Sequence, residues 1–110
     1  MSYNVRPTPA FQRQLKRLLK KYKSLTTDLA ELGQTLTDTP ELGTALGRNC
    51  YKIRMAISSK GKGKSGGSRV VTCVHVSGET IYLLSIYDKS EKDSLAEGEL
   101  TELLDELDLN

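Results

Sequence analysis

Aromatic residues are scarce in this chain of 110 residues, which contains no tryptophan, one phenylalanine and five tyrosines. The core must therefore be built mainly from leucine, isoleucine and valine. Long hydrophobic runs are also missing, and no stretch approaches the roughly 20 apolar residues that a membrane-spanning helix needs. We expect no secretory leader, no membrane contact, a cytoplasmic location and a single domain over residues 1–110.

Residues that commonly bind metals or act as nucleophiles are few. His75 is the only histidine, and Cys50 and Cys73 lack the paired spacing of a zinc site. No cluster of acidic residues lies near the basic segments to hold magnesium. We therefore expect no metal and no cofactor. His75 stands between two valines and is expected to be packed, and the two cysteines are expected to be buried, reduced thiols.

Charge is distributed unevenly along the chain. Residues 1–90 hold 15 Lys and Arg against 6 Asp and Glu, a net of +9, whereas residues 91–110 hold 1 against 8, a net of −7. A body this basic attracts a polyanion. The acidic end either folds back over the basic face or forms an amphipathic helix at the rim with its acidic side in water. Of the two arrangements, we favour the rim helix.

Apolar residues recur at helical spacing in the first third of the chain. Thr8 followed by Pro9 is typical of an N-cap and a first helical position, and it predicts a helix to about Tyr22. Ser24 can cap a second helix, which together with the first would make a helical hairpin. The two apolar stripes are Phe11, Leu15, Leu18 and Tyr22, then Leu25, Leu29, Leu32 and Leu36.

Hydrophobic residues alternate in the second half, which is the period of β-strands. Residues 37–47 and 58–68 are rich in Gly, Ser or Pro and predict loops. Ser94 and Glu97 match a capping box, which predicts the start of a last helix carrying four leucines. The predicted strands are residues 1–6, 50–57, 69–76 and 80–87, and the last leucine stripe is Leu100, Leu103, Leu104 and Leu107.

The densest positive charge lies in a glycine-rich loop that contains Lys60, Lys62 and Lys64 and ends at Arg69. Glycines let a backbone approach a phosphate closely. The same composition also fits a solvated connection whose lysines only improve solubility. The loop is not the phosphate-binding loop of nucleotide hydrolases, because the first glycine of that motif is missing and a strand follows instead of a helix.

A second group of cations lies on the predicted strands. Lys52 and Arg54 are two residues apart and therefore share one face of their strand. Two unpaired cations are costly to bury, so they face water, a carboxylate or a ligand. Arg69 begins the next strand, while Tyr87 and Lys89 end the one after it. These groups can converge on one face and form an anion site.

Three segments follow one another along the chain: Cys-Tyr-Lys-Ile-Arg at 50–54, the basic loop, and Leu-Ser-Ile-Tyr-Asp-Lys at 84–89. Their order resembles that of the RelE/ParE superfamily of bacterial toxins. The loop and the Ile-Tyr-x-Lys ending look most like its HigB branch. The resemblance implies an α+β fold, in which a small antiparallel four-stranded sheet packs against an N-terminal helical hairpin and a C-terminal helix follows.

The resemblance also implies a function and partners. It implies the toxin of a type II toxin-antitoxin system, a ribosome-dependent endoribonuclease that cuts mRNA through attack of a 2′-hydroxyl and needs no metal. Its partners would be the ribosome, mRNA and an adjacently encoded helix-turn-helix antitoxin, with operator DNA bound only through the antitoxin complex.

Site residues carried over by the resemblance are mainly cationic. Arg54 and Arg69 would stabilise charge, Lys52 would act as base or phosphate contact, Lys89 would supply a further cation, and Tyr87 would stand in for a catalytic tyrosine absent from residues 91–110. RNA or ribosome binding is expected of Lys60, Lys62, Lys64, Lys16 and Lys20. In addition, Ser90 occupies the position where some members carry a catalytic arginine.

Two alternative functions remain open at this stage. A gyrase inhibitor of the ParE-like branch would have the same fold, and fold alone does not separate it from a ribonuclease. A non-catalytic nucleic-acid-binding module would also be basic, although the scarcity of aromatic residues on the basic face disfavours single-strand binding by stacking.

Overall fold

The computed structural model describes residues 2–61 and 63–107, which fold into three α-helices and five strands. Within these residues, no helix is long and apolar enough to cross a membrane. The elements in chain order are β1 (Asn4–Pro7), α1 (Pro9–Leu19), α2 (Leu25–Asp38), β2 (Thr44–Gly47), β3 (Cys50–Met55), β4 (Ser68–His75), β5 (Thr80–Asp88) and α3 (Glu99–Asp105). A 3-10 turn, Ser58–Lys60, lies in the basic loop.

The five strands form one mixed sheet in the order β1-β5-β4-β3-β2. The prediction of four antiparallel strands is therefore wrong in two respects. β2 lies in a segment predicted as a loop, and β1 runs parallel to β5. All four residues of β2 are exposed, so no apolar alternation marks it as a strand. The direction of β1 depends on the path of the whole chain and leaves no local pattern in residues 4–7.

The N-cap predictions for the first two helices are correct for α1 and wrong for α2. Thr8 Oγ1 accepts the N–H of Phe11 at 3.2 Å and Pro9 opens α1, as predicted. Ser24 precedes α2 but its side chain does not cap the helix, since its hydroxyl donates to the Asp28 carboxylate at 2.9 Å and accepts the N–H of Ser59 at 2.9 Å. α1 ends at Leu19, three residues before the predicted end.

The predicted capping box at Ser94 is also wrong. Gly98 is the residue before α3 and has a φ of 83°, a left-handed conformation that favours glycine. The carboxylate that reaches back belongs to Glu99, whose Oε1 accepts the N–H of Ala96 at 2.9 Å. The last helix consequently begins later than the sequence suggests and has seven residues.

Apolar side chains form two clusters, one on each face of the sheet. The helix face packs against α1 and α2 through Ile53, Val70, Ile81 and their neighbours. We call the opposite side the C-terminal face, because α3 covers it. Its buried members are Cys50, Val71, Cys73, Leu84, Tyr87, Ala10 and Leu103.

The acidic end lies over the sheet, with Leu100, Leu104 and Leu107 packed against the C-terminal face. The packing of the leucines is that of the fold-back arrangement, whereas the acidic side is placed as predicted for the rim helix, so each prediction is confirmed in part. The outer carboxylates of Glu102 and Glu106 are exposed. In the described residues they form no ion pair with the cations of the strands, so the acidic side of α3 is solvated.

Candidate functional site

Strand register brings four of the predicted site residues to one face. Arg54 on β3 lies directly opposite Arg69 on β4, and Arg69 lies directly opposite Tyr87 on β5. Residues opposite one another on neighbouring strands share a face of the sheet. We call Arg54, Arg69 and Tyr87 the transverse row. Lys52 is two residues before Arg54 on the same strand and therefore lies on the same face.

The two arginines of the transverse row occupy a closely spaced position. A hydrogen bond from the Val74 N–H to the Asn49 carbonyl oxygen (2.9 Å) fixes the phase of the uninterrupted β3–β4 ladder. With this phase, Arg54 and Arg69 form a non-hydrogen-bonded pair, in which side chains approach most closely. Like charges directly opposite one another destabilise a sheet. This arrangement is therefore costly for the fold and suits a site that receives an anion.

Arg69 is buried, which the sequence did not indicate. Its side chain is held by backbone oxygens of the basic loop, since Nη1 donates to the carbonyls of Lys64 (2.9 Å) and Ser68 (3.0 Å) and Nη2 to that of Ser65 (3.2 Å). These bonds use three of the five guanidinium N–H groups. No carboxylate forms a salt bridge with Arg69 in the described ranges, so its charge is not neutralised there.

We expect Arg69→Lys to lower the free energy of unfolding by about 2 kcal/mol, because a lysine keeps the charge but cannot donate to three carbonyls in a planar fork. Amide hydrogen exchange should also become faster in residues 63–67. The measurement is urea denaturation combined with exchange. Unchanged stability and unchanged exchange would show that Arg69 does not hold the loop.

Arg54 is exposed at the open edge of β3. β2 pairs with β3 only as far as Lys52, so the following residues of β3 have no outer strand partner in the described chain. Arg54 and Lys64 line one groove of about 370 Å³ there, together with Glu31 of α2. Lys52 lines a separate cavity of about 240 Å³ beneath the segment that contains Leu95.

Tyr87 is covered by the chain that follows β5. Its hydroxyl lies 3.5 Å from the carbonyl oxygen of Asp93, and the Lys92 ammonium lies 5.0 Å from the centre of its ring. Burial raises the pKa of Tyr87, Arg69 lowers it, and Glu99 and Asp93 raise it again, so that the net direction is upward. The phenol therefore stays protonated at neutral pH and is covered in this arrangement.

Lys60 contacts a buried carboxylate, although the sequence suggested RNA. Its Nζ lies 2.8 Å from Asp88 Oδ1, and the lysine side chain is only 13% exposed. Asp88 also accepts from the Tyr22 hydroxyl at 2.6 Å and from the hydroxyl of Ser90 at 2.8 Å. Asp88 is fully buried and was missed by sequence reasoning, because nothing local distinguishes it from a solvated residue at a strand end.

The ionisation of this pair follows from its contacts. Burial alone raises the pKa of Asp88, but hydrogen bonds from Lys60, Tyr22 and Ser90 outweigh it and hold the pKa well below the ordinary value. The hydrogen bond to Asp88 is the main reason that the pKa of Lys60 is raised. Lys60 therefore joins the basic loop to the end of β5.

We expect this carboxylate to make stability depend on pH. Because the pKa of Asp88 is lower in the folded than in the unfolded chain, its stabilisation is complete above about pH 5 and is lost as pH falls below about 4. In Asp88→Asn the loss of stability between pH 5 and 2 should be smaller than in the parent. Urea midpoints measured across this range test it, and equal slopes for both proteins would contradict it.

The remaining predicted contacts are spread over the molecule. Lys89 follows β5, is partly exposed, and lies 3.8 Å from Asp93, while its backbone N–H donates to Gly67 in the basic loop. Lys16 on α1 and Lys20 directly after it are exposed, and the structure does not bring them to the transverse row. Lys62 lies outside the described residues. Among those described, no three His, Cys, Asp or Glu side chains are grouped to hold a metal.

This architecture, with a helical hairpin on one face of a small mixed sheet and a short helix on the other, is that of a RelE-type toxin fold. A solved structure of a double arginine-to-alanine mutant of the E. coli toxin RelE in the free state is similar, with a TM-score of 0.64. The two chains are 18% identical, and the match covers 97% of this chain and 99% of that one. No protein-family model matches the sequence. At this identity the likeness shows the fold.

Proposed function

We propose that this chain is the toxin of a type II toxin-antitoxin system, of the HigB/RelE-like branch, and that it cleaves mRNA without a metal. The observation that carries the proposal is the pairing of Arg54 with Arg69, an exposed and a buried cation directly opposite each other on neighbouring strands, neither of which forms a salt bridge in the described chain. The RelE-type fold supports the same function.

The proposed reaction is attack of an RNA 2′-hydroxyl on its own phosphate. The enzyme must align the reacting groups, accept a proton, stabilise added negative charge and protonate the leaving oxygen. Arg54 would bind the phosphate directly because it is exposed. Arg69 is buried beside it and would add positive charge to the site without reaching the surface. Lys52 would act as the base or hold the neighbouring phosphate.

RNA would reach the transverse row from its Arg54 end. The segment after β5 covers Tyr87, whereas the groove beside Arg54 is open and is also lined by Lys64. Lys64 and Lys62 would bind RNA or the ribosome from the loop. Tyr87 would donate a proton only after the covering segment moves, and Lys89 lies at the border of that segment.

The test is induced expression followed by mapping of mRNA 5′ ends, beside cleavage assays with purified protein and ribosome-bound mRNA. New 5′ ends within translated regions, produced in the presence of a chelator, are the expected result. Growth should recover when a helix-turn-helix protein encoded next to the gene is co-expressed. Intact mRNA together with inhibited DNA supercoiling would instead favour a gyrase inhibitor, and salt-sensitive RNA binding without cut ends would favour a binding module.

A further inference from the structure

Two cysteines face each other across the β3–β4 ladder. Cys50 and Cys73 are direct register partners, both are buried, and neither is in a disulfide. The hydrogen bond from Val74 N–H to the Asn49 carbonyl oxygen is the bond that flanks this pair. Cys50 and Cys73 therefore form a non-hydrogen-bonded pair, whose side chains point to the same face and approach closely.

This position has the geometry that a disulfide needs. Cα atoms of a non-hydrogen-bonded antiparallel pair are about 4.5 Å apart, and disulfides join Cα atoms separated by about 4.4 to 6.8 Å. Oxidation of Cys50 and Cys73 is therefore compatible with the observed strand register. Two residues placed at random in a domain rarely meet this condition, because the Cα separation and the directions of both Cβ atoms must agree.

The environment favours one thiol as the attacking group. A hydrogen bond from Cys50 lowers the pKa of Cys73 to about 7, burial opposes this, and the nearby Arg48 guanidinium lowers it further. The same contact and burial raise the pKa of Cys50. Since the thiolate is the nucleophile in disulfide exchange, Cys73 would react first and Cys50 would resolve the product.

Access to the pair is controlled by α3. Leu103 of α3 packs in the same cluster as both cysteines, and the Thr101 hydroxyl lies 2.8 Å from Arg48 Nη1. This cover is weakly held. α3 has seven residues, no side chain caps its start, and no basic residue lies in its last turn, so that only the acidic residues of its first turn favour the helix dipole. Short elements of this kind open more readily than the rest of a domain.

We propose that Cys50 and Cys73 form a redox modification site, a dithiol that becomes a cross-strand disulfide by reaction with a low-molecular-weight disulfide when α3 lifts. The site is independent of the ribonuclease proposal, because it rests on register, burial and the packing of α3 alone.

The reaction balances in two exchange steps. The Cys73 thiolate attacks one sulfur of the small disulfide, forms a mixed disulfide and releases one small thiolate, which takes up the proton that Cys73 lost. The Cys50 thiolate then attacks the Cys73 sulfur and releases the second small thiol with the proton from Cys50. Two protein thiols are oxidised by two electrons, and one small disulfide is reduced to two thiols.

The experiment treats the purified full-length protein with glutathione disulfide and follows free thiols and intact mass. Loss of both thiols, with a mass decrease of two hydrogen atoms and no added glutathione, is the expected result. Thermal unfolding should shift upward by several degrees, because the bond closes a loop in the unfolded chain. Cys50→Ala should stop at the mixed disulfide on Cys73.

The gate is tested separately by Leu103→Ala, which removes packing from α3 and should accelerate oxidation about tenfold. Leu32→Ala is the matched control, since Leu32 is a buried leucine of the helix face and its loss should leave the rate within about twofold. Retention of both thiols by the parent and by Leu103→Ala, uptake of two glutathiones, or disulfide-linked dimers would overturn the site. Equal acceleration by both leucine variants would overturn the gate. None of these readouts depends on RNA cleavage.

Discussion

Replacing Arg54 by alanine should reduce the rate of mRNA cleavage by about a hundredfold or more and abolish growth arrest on induction. Removal of one group that stabilises charge in a transition state commonly costs a factor of this size. Arg54 is the exposed arginine of the transverse row, so it is the one that an incoming phosphate meets first. Initial rates on ribosome-bound mRNA measure the effect directly.

The fold should survive this substitution. Arg54 forms no salt bridge in the described chain and faces the like charge of Arg69, so its removal should leave the unfolding midpoint unchanged or slightly raised. The matched control is Arg6→Ala, which removes an exposed strand arginine from β1 at the other edge of the sheet. It should retain activity within about twofold. Full activity in Arg54→Ala would exclude the transverse row as the reaction site.

Replacing Asp88 by alanine should lower the free energy of unfolding by about 3 kcal/mol, which is a large part of what a domain of this size has. The substitution leaves the ammonium of Lys60 and the hydroxyl of Tyr22 facing a space that their acceptor has left. Urea denaturation of the purified protein is the measurement. The loss should exceed that of any single change among the exposed carboxylates.

A suitable comparison for this prediction is Asp93→Ala. Asp93 also contacts a lysine, Lys89, but at 3.8 Å and with its side chain 86% exposed, so its removal should change stability little. Combining Asp88→Ala with Lys60→Ala should cost less than the two single losses added together, since one buried pair is removed once. Additive losses would show that Lys60 and Asp88 do not act as a pair.

Local patterns predicted the parts of the fold and site that local physics controls. The N-cap at Thr8, the apolar stripes of α1 and α2, and the three long strands all followed from spacing and residue type. Alternation placed Lys52 and Arg54 on one face, and the structure has them there. These features depend on residues that are only a few positions apart, so the sequence alone is enough to predict them.

Features that depend on contacts between distant parts of the chain could not be predicted from the sequence. The partner of Lys60 is 28 positions away in the sequence, and the burial of Arg69 depends on how the basic loop folds over it. All four residues of β2 are exposed. A strand with no buried face needs no alternation of apolar and polar residues, so its sequence does not identify it. The packing of α3 on the sheet could not be predicted, because it depends on which face of the sheet the other helices leave uncovered.

The pairing of β1 with β5 has a consequence for when this domain can form during synthesis. Residues 4–7 lie beside residues 80–83, so each residue of β1 has its strand partner 76 positions later in the chain. Such distant pairing comes late in folding, because the entropy of the intervening chain must first be lost. The transverse row also needs β5, which carries Tyr87, so the proposed ribonuclease would act on RNA only after β5 has been synthesised and has paired with β4.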